Sequence, residues 1–315
     1  MNARPYPWIL LALGIGCTPN DAREGPPAQV TSARATAERR AGNDASAAPS
    51  VEAPPAVSPP RASGSVAASS SSEGATAPCP ADMIDVGTFC VDPYEAVLES
   101  EDEHGAWVVH PHYARPAEGV RYRAASRAGE YPQSYVSEVE SAAACAAAGK
   151  RLCTKREWES ACRGKGYKPF PYGAMGVEGK CNSAKGHLLR ELFHREQGFS
   201  YEDFNDPRLA QVPGFLAKTG EYAECHNARG TFDMVGNLHE WVSTKVDKEL
   251  LGSILIDGTH RQHQPMIEGN GIFMGGFFST REELGPGCYF TTIAHEQTYH
   301  DYSVGFRCCA DAKPR

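Results

Sequence analysis

The hydrophobic and polar positions divide the chain into stretches of different character. Residues 1–17 carry an early Arg4, then the apolar run Trp8-Ile9-Leu10-Leu11-Ala12-Leu13-Gly14-Ile15, then Gly16-Cys17. That run is too short for a bilayer-spanning helix and has the layout of an export signal. From Thr18 to about Pro78 the chain is Ala, Ser, Pro, Thr and scattered charge, with almost nothing to bury against the entropy of ordering. A semi-extended tether is predicted there. The globular part is expected over 79–312, a length that can bury its own core. Met83 to Asp92 alternates apolar and polar residues across Gly87, as a short hairpin does. Glu99 to His104 reads as an exposed acidic loop. Ser137 with Glu140, and Thr154 with Glu157, each form a capping box that opens a helix. The first helix is Ala-rich and ends at Gly149. The second places Trp158, Ala161 and Cys162 on one face and stops at Gly164. Pro169 to Gly173 is a rigid turn, and Ile272–Phe278 and Val304–Cys308 read as buried strands.

Charge and cysteine usage narrow the function. A net charge of −8 without a Lys/Arg block argues against a nucleic-acid partner. Eleven cysteines are too many for a reduced compartment. Setting Cys17 aside leaves an even number that can pair completely, and no CxxC…CxxC zinc pattern exists. Cys79 and Cys90 flank the predicted hairpin and are placed to staple it.

The stretch Asp233-Met234-Val235-Gly236-Asn237-Leu238-His239-Glu240-Trp241 has two readings. Its Gly-Asn pair tolerates positive φ and predicts a turn with exposed carbonyls. Asp233, Glu240 and those carbonyls form an oxygen set suited to calcium. The plainer alternative is a capped turn that sends Val235 and Trp241 into the core. Other sets are weaker. His260, His263 and Glu268 lack a helix to fix them as metal ligands, and His295-Glu296 with His300 has the wrong spacing for a zinc-protease helix. His110 and His112 are expected in solvent.

Several blocks together resemble one family. Gly149-Lys150-Arg151-Leu152-Cys153-Thr154-Lys155-Arg156-Glu157-Trp158-Glu159 is similar to G-K-R-L-P-T-E-A-E-W-E, with Cys153 and Lys155 as departures. Tyr172-Gly173 and Cys181-Asn182 follow in order. Asp233 to Trp241 resembles D-M-x-G-N-x-x-E-W with His239 in place of an aromatic. Met274-Gly275-Gly276-Phe277 parallels R-G-G-S, and Val304-Gly305-Phe306-Arg307-Cys308 contains G-F-R-C. These blocks are those of the formylglycine-generating, sulfatase-modifying factor domain.

The resemblance implies an α+β, C-type-lectin-like fold that is low in regular secondary structure and disulfide-rich. It implies a Cys145–Cys308 bridge and a bridged Cys162, whose partner is left open among Cys153, Cys288 and Cys309. It implies one calcium on Asp233, Gly236, Leu238 and Glu240. A second would be held by Asn182, the Ser183 carbonyl and a carboxylate for which Asp203 and Asp206 are candidates. The family's oxidases bind copper between two cysteines after the R-G-G-S block and convert a substrate cysteine to formylglycine. Two thiolates suit Cu(I). Here Cys288 resembles the second cysteine, whereas Thr280 or Glu283 stands at the first, and Cys288 itself is expected as a disulfide partner. The resulting expectation is a non-catalytic, calcium-stabilised binding domain for a protein or glycan ligand. The alternative is an oxidase that uses Cys288 catalytically. Gly16-Cys17 resembles the end of a bacterial lipoprotein signal. That implies a lipid anchor on Cys17 and a place in the cell envelope, on the periplasmic side or at the surface.

Overall fold

Two of the four central strands belong to one continuous stretch that changes sheets at a single residue. In the computed structural model, residues 78–257, 267–281, 286–293 and 295–314 are described. The export signal, the anchor Cys17, the tether up to residue 77, His260, His263 and Glu283 lie outside the described residues. Strands β1 (Ile84–Asp85) and β2 (Phe89–Val91) form the expected antiparallel hairpin, and a Cys79–Cys90 disulfide closes it. Next come β3 (Ala96–Glu101), β4 (Trp107–Val109) and β5 (Tyr122–Ser126), which form a three-stranded sheet in the order β4-β3-β5. The acidic stretch is therefore a strand as far as Glu101 and a turn only beyond it. Glu99 is buried because Arg123 and Arg127 both pair with it, so its charge is offset by two guanidiniums.

The helices follow their caps. In α1 (Glu138–Ala147), the Ser137 side chain accepts the Glu140 N–H at 3.3 Å, and Glu140 Oε2 accepts the Ser137 N–H at 2.8 Å. In α2 (Lys155–Arg163), Thr154 and Glu157 make the same exchange at 3.2 and 2.8 Å. These bonds satisfy amides that would otherwise be orphaned at each helix start. Trp158, Ala161 and Cys162 form the buried face of α2. Between the two helices lies β6 (Arg151–Leu152). Two short helices, α3 (Leu188–Phe193) and α4 (Tyr201–Phe204), then occupy a segment where no regular structure is predicted from pattern.

Strand β7 (His239–Lys245) pairs antiparallel with β8 (Gly271–Met274), which pairs with β9 (Thr291–Thr292). The predicted strand Val304–Cys308 is broken in two. Strand β10 (Val304–Phe306) runs parallel to β7, whereas β11 (Cys308–Asp311) lies between β2 and β6. Arg307 is the hinge between the two sheets. Because adjacent residues on a strand face opposite sides, Cys308 and Cys309 reach different partners. Cys308 bridges to Cys145 on α1, and Cys309 bridges to Cys153 at the start of α2. Cys162–Cys288 and Cys181–Cys225 complete five disulfides, so every cysteine among the described residues is paired. The architecture is α+β and disulfide-rich.

Candidate functional site

The Asp233–Trp241 segment is the turn that its sequence predicts. Asp233 and Asn237 take φ of 56°, and Gly236 takes 79°. A side chain at Gly236 is excluded for a further reason: a Cβ there would lie 2.1 Å from the Asn182 carbonyl oxygen. Val235 and Trp241 enter the core, and the Trp241 indole donates to the Val136 carbonyl at 2.9 Å. The same turn carries charge inward, so the two readings of this stretch describe different faces of one element.

Glu240 and Asp233 are buried, and Arg307 is fully buried with them. The guanidinium bonds Glu240 through both oxygens, Nε to Oε2 at 2.7 Å and Nη2 to Oε1 at 2.7 Å. Its remaining donors reach the carbonyls of Asp92 at 3.1 Å, Pro93 at 3.3 Å and Phe232 at 2.8 Å. Burial works against the charged guanidinium, but pairing with Glu240 outweighs it and holds Arg307 protonated. Trp158 on α2 donates its indole N–H to Glu240 Oε2 at 2.7 Å. Asp233 Oδ2 accepts the Gly220 N–H at 2.7 Å. A third carboxylate, Glu95, accepts from Asn237 Nδ2 at 2.6 Å and from the Leu238 N–H at 3.0 Å. Three buried carboxylates thus share one guanidinium. Burial, reinforced by Asp233 and Glu240, pushes Glu95 well above the usual carboxylate range, and burial raises Asp233 to about 6.

This donor set suits a hard divalent cation. A carboxylate offers four lone-pair positions, and the three bonds to Glu240 leave one of them on Oε1. Asp233 and the nearby turn carbonyls are likewise oxygen donors, the class that hard cations take in preference to soft ones.

The second expected set is not assembled. Asp203 caps α4 and pairs with Arg195, and Asp206 pairs with Arg208, both at the molecular edge. Asn182 Nδ2 donates to Asn237 Oδ1 and to the Phe215 carbonyl, each at 2.8 Å, while its Oδ1 is buried without a partner. The cation beside it is Lys185, whose Nζ donates to the carbonyls of Gly214 at 2.5 Å and Phe215 at 2.8 Å. Burial lowers the Lys185 pKa. The charged groups beside Asn182 and Ser183 are thus Lys185 and, acting on it, Glu221, rather than Asp203 or Asp206.

Copper does not fit either. Cys288 is fully buried and bridged to Cys162 of α2, so it offers no thiolate. The assignment of Cys288 as a catalytic residue is corrected on that ground. Thr280, which stands near the place of the missing first cysteine, accepts the Phe277 N–H at 2.9 Å through its hydroxyl. A cleft of about 410 Å³ is lined by Phe170, Tyr172, Val177, Ser183, Gly275, Gly287, next in sequence to Cys288, and Phe290 among others.

The histidines are structural. His110 and His112 are half-buried rather than solvated, with Nε2 atoms 3.0 Å from the Ala114 carbonyl and 3.2 Å from the Ala210 carbonyl. His295 stacks on Tyr299 with ring centroids 3.8 Å apart, and His300 bonds Arg115 at 2.6 Å. His239 fills its aromatic position among Phe273, Phe277 and Phe290. Burial takes His239 down to about 3, so it is neutral. Among the described residues, no three His, Cys, Asp or Glu side chains converge on a metal position.

Comparison with known proteins agrees with the pattern of blocks. Residues 59–312 match the family described as the sulfatase-modifying factor enzyme 1-like domain. The chain is 31% identical over 134 residues to a Bos taurus protein named inactive C-alpha-formylglycine-generating enzyme 2, covering 42% of this chain and 37% of that protein. It is 27% identical over 189 residues to the formylglycine-generating enzyme of Mus musculus, covering 58% of this chain and 45% of the relative. The chain thus spans less than half the length of these two relatives. Among solved structures, Treponema denticola variable protein 1 is similar with a TM-score of 0.42 at 11% identity, over 74% of this chain and 100% of that one.

Proposed function

The chain belongs to the sulfatase-modifying factor family, and from that premise we propose that it is a non-catalytic, calcium-stabilised binding domain of C-type-lectin-like type. The observation that carries this reading is the Cys162–Cys288 disulfide. Formation of formylglycine in this family needs a copper-bound cysteine pair, and a buried bridged sulfur cannot serve as a soft ligand. The cleft beside Gly287 has aromatic walls and no cysteine in its lining, which suits binding. Function is argued here from the site and not from the fold, because one scaffold hosts many activities.

On this reading Asp233, Glu240 and the carbonyls of Gly236 and Leu238 hold one calcium ion, which offsets the buried negative charge beside Arg307. Export by the N-terminal signal, lipidation at Cys17 and a tether over 18–78 would present the domain at the cell envelope to a protein or glycan ligand. The oxidase alternative makes the opposite predictions. Purified under oxidising conditions and supplied with Cu(I) and oxygen, the full chain should form no aldehyde on a cysteine-containing sulfatase-type peptide. It should also show no free thiol from Cys288 under denaturing titration. Stoichiometric Cu(I) uptake lost in Cys288→Ala, or any peptide aldehyde above background, would overturn the proposal.

A further inference from the structure

Beside the cleft, at the C-terminal end of α2, a second hollow of about 320 Å³ gathers more positive than negative charge in its lining. Arg163, Lys165, Lys168 and Lys180 line it against the single carboxylate Glu224, in a chain whose net charge is −8. The cations come from separate turns. The Cys181–Cys225 bridge ties the loop bearing Lys180 to the loop bearing Glu224. Lys180 is 3.7 Å from Glu224, whereas Lys165 and Lys168 are exposed and, among the described residues, take part in no ion pair. Cations at a helix C-terminus complement its dipole, which accounts for Arg163 and Lys165. It does not account for Lys168 or Lys180.

Tyr172 lines the hollow, and two further tyrosines, Tyr167 and Tyr289, stand beside it around Arg163. The Arg163 guanidinium lies between Tyr167 and Tyr289, 5.0 and 4.8 Å from their ring centroids. Its Nη2 donates to the Tyr167 carbonyl at 3.1 Å, and its Nε is buried without a partner. Tyr167 is 71% exposed and is held at a φ of 54°, a conformation that bulky residues rarely adopt. Tyr172 lines both this hollow and the cleft beside Gly287.

From these observations we propose that the hollow is a binding site for an anionic saccharide, one that carries carboxylate or sulfate groups. The cations meet the acidic groups through charge-assisted bonds, and the exposed Tyr167 ring beside the hollow gives a sugar ring an apolar platform at little entropic cost. The lining residues belong to the end of α2 and to loops, and none lies in a strand. No sheet edge is therefore offered to a peptide backbone, which favours a saccharide over an acidic peptide. This inference rests on the reading of the domain as a binding module and names its ligand class, but binding here does not depend on the state of Cys288.

The test is a titration of the full-length protein with three probes: oligogalacturonate, dextran sulfate and polyglutamate, with neutral dextran as the blank. The proposal expects at least one acidic saccharide to bind and neutral dextran not to bind. Affinity should fall about tenfold or more in Lys165→Glu/Lys168→Glu, because each reversal replaces an attraction by a repulsion. Both side chains are exposed, and an unchanged melting curve establishes that the variant is folded. Tyr167→Ala should weaken saccharide binding by about fivefold or more and leave any polyglutamate binding unchanged. Three results overturn the proposal: no binding by either saccharide, polyglutamate binding as tightly as the saccharides with Tyr167→Ala indifferent, or full affinity in the charge-reversed variant. Failure of this test leaves the aldehyde and copper outcomes untouched, so the two readings fail separately.

Discussion

Asp233→Asn separates the electrostatic role of the central turn from its geometric one. Asp233 is buried, and burial raises its pKa to about 6 from an ordinary 3.8. In the unfolded chain the carboxyl has already lost its proton near pH 4, whereas in the folded protein it retains it until about pH 6. The folded state therefore binds more protons across that window, and stability falls as pH rises through it. At neutral pH the metal-free penalty is about 3 kcal/mol. An amide keeps an oxygen for the Gly220 N–H and carries no charge. Denaturant unfolding in EDTA at pH 7 should therefore find Asp233→Asn at least as stable as the parent, by up to about 3 kcal/mol. The difference should vanish below pH 4, where neither protein carries the charge. With calcium the order should narrow or reverse. A ligand at a hundred times its dissociation constant adds about 2.7 kcal/mol to the state that binds it, and the variant lacks one ligand charge. A variant less stable than the parent by more than about 1 kcal/mol in EDTA at pH 7 would refute the claim that this carboxylate is undercompensated. Identical responses of the two proteins to calcium would remove the ion from the site.

Two further perturbations address the supports around that turn. Arg307→Met should destabilise the protein by about 3–5 kcal/mol at pH 7, because it leaves Glu240, Asp233 and Glu95 buried without their shared cation. The loss should shrink toward pH 5 as the unpaired carboxylates take up protons, and a pH-independent loss in urea titrations would contradict this account. Cys162→Ala/Cys288→Ala opens a bridge with a sequence separation of 126, for which the chain-entropy relation gives up to about 5 kcal/mol. A change below about 1 kcal/mol by the same assay would mean that the bridge does not restrict the unfolded chain as that relation requires.

What could be read from the sequence is what is decided within a few residues. Ser137 with Glu140 and Thr154 with Glu157 fix their helices locally, and Gly236-Asn237 takes the left-handed turn its residue types allow. What could not be read depends on long-range convergence. Glu95 meets Asn237 across a sequence separation of 142, and nothing near Glu95 marks it as buried. Arg307 reads as one more residue of a buried strand until β10 and β11 prove to belong to different sheets, which turns its side chain to the centre. Lys185 comes to lie beside Asn182 because its neighbours are carbonyls brought in from Gly214 and Phe215, and the basic hollow is scattered over separate turns for the same reason. The central network is built apart from the cleft. Arg307 joins β7 through Glu240 to the turn after β2 and to the Phe232 carbonyl, and the same Glu240 joins α2 through Trp158. None of those bonds passes through the cleft. The residues that identify the family are held by the demands of the buried charges, so they persist whether or not Cys288 is free. The bridge between Cys162 and Cys288 ties α2 to the segment before β9 and adds a covalent constraint to the core without touching that network.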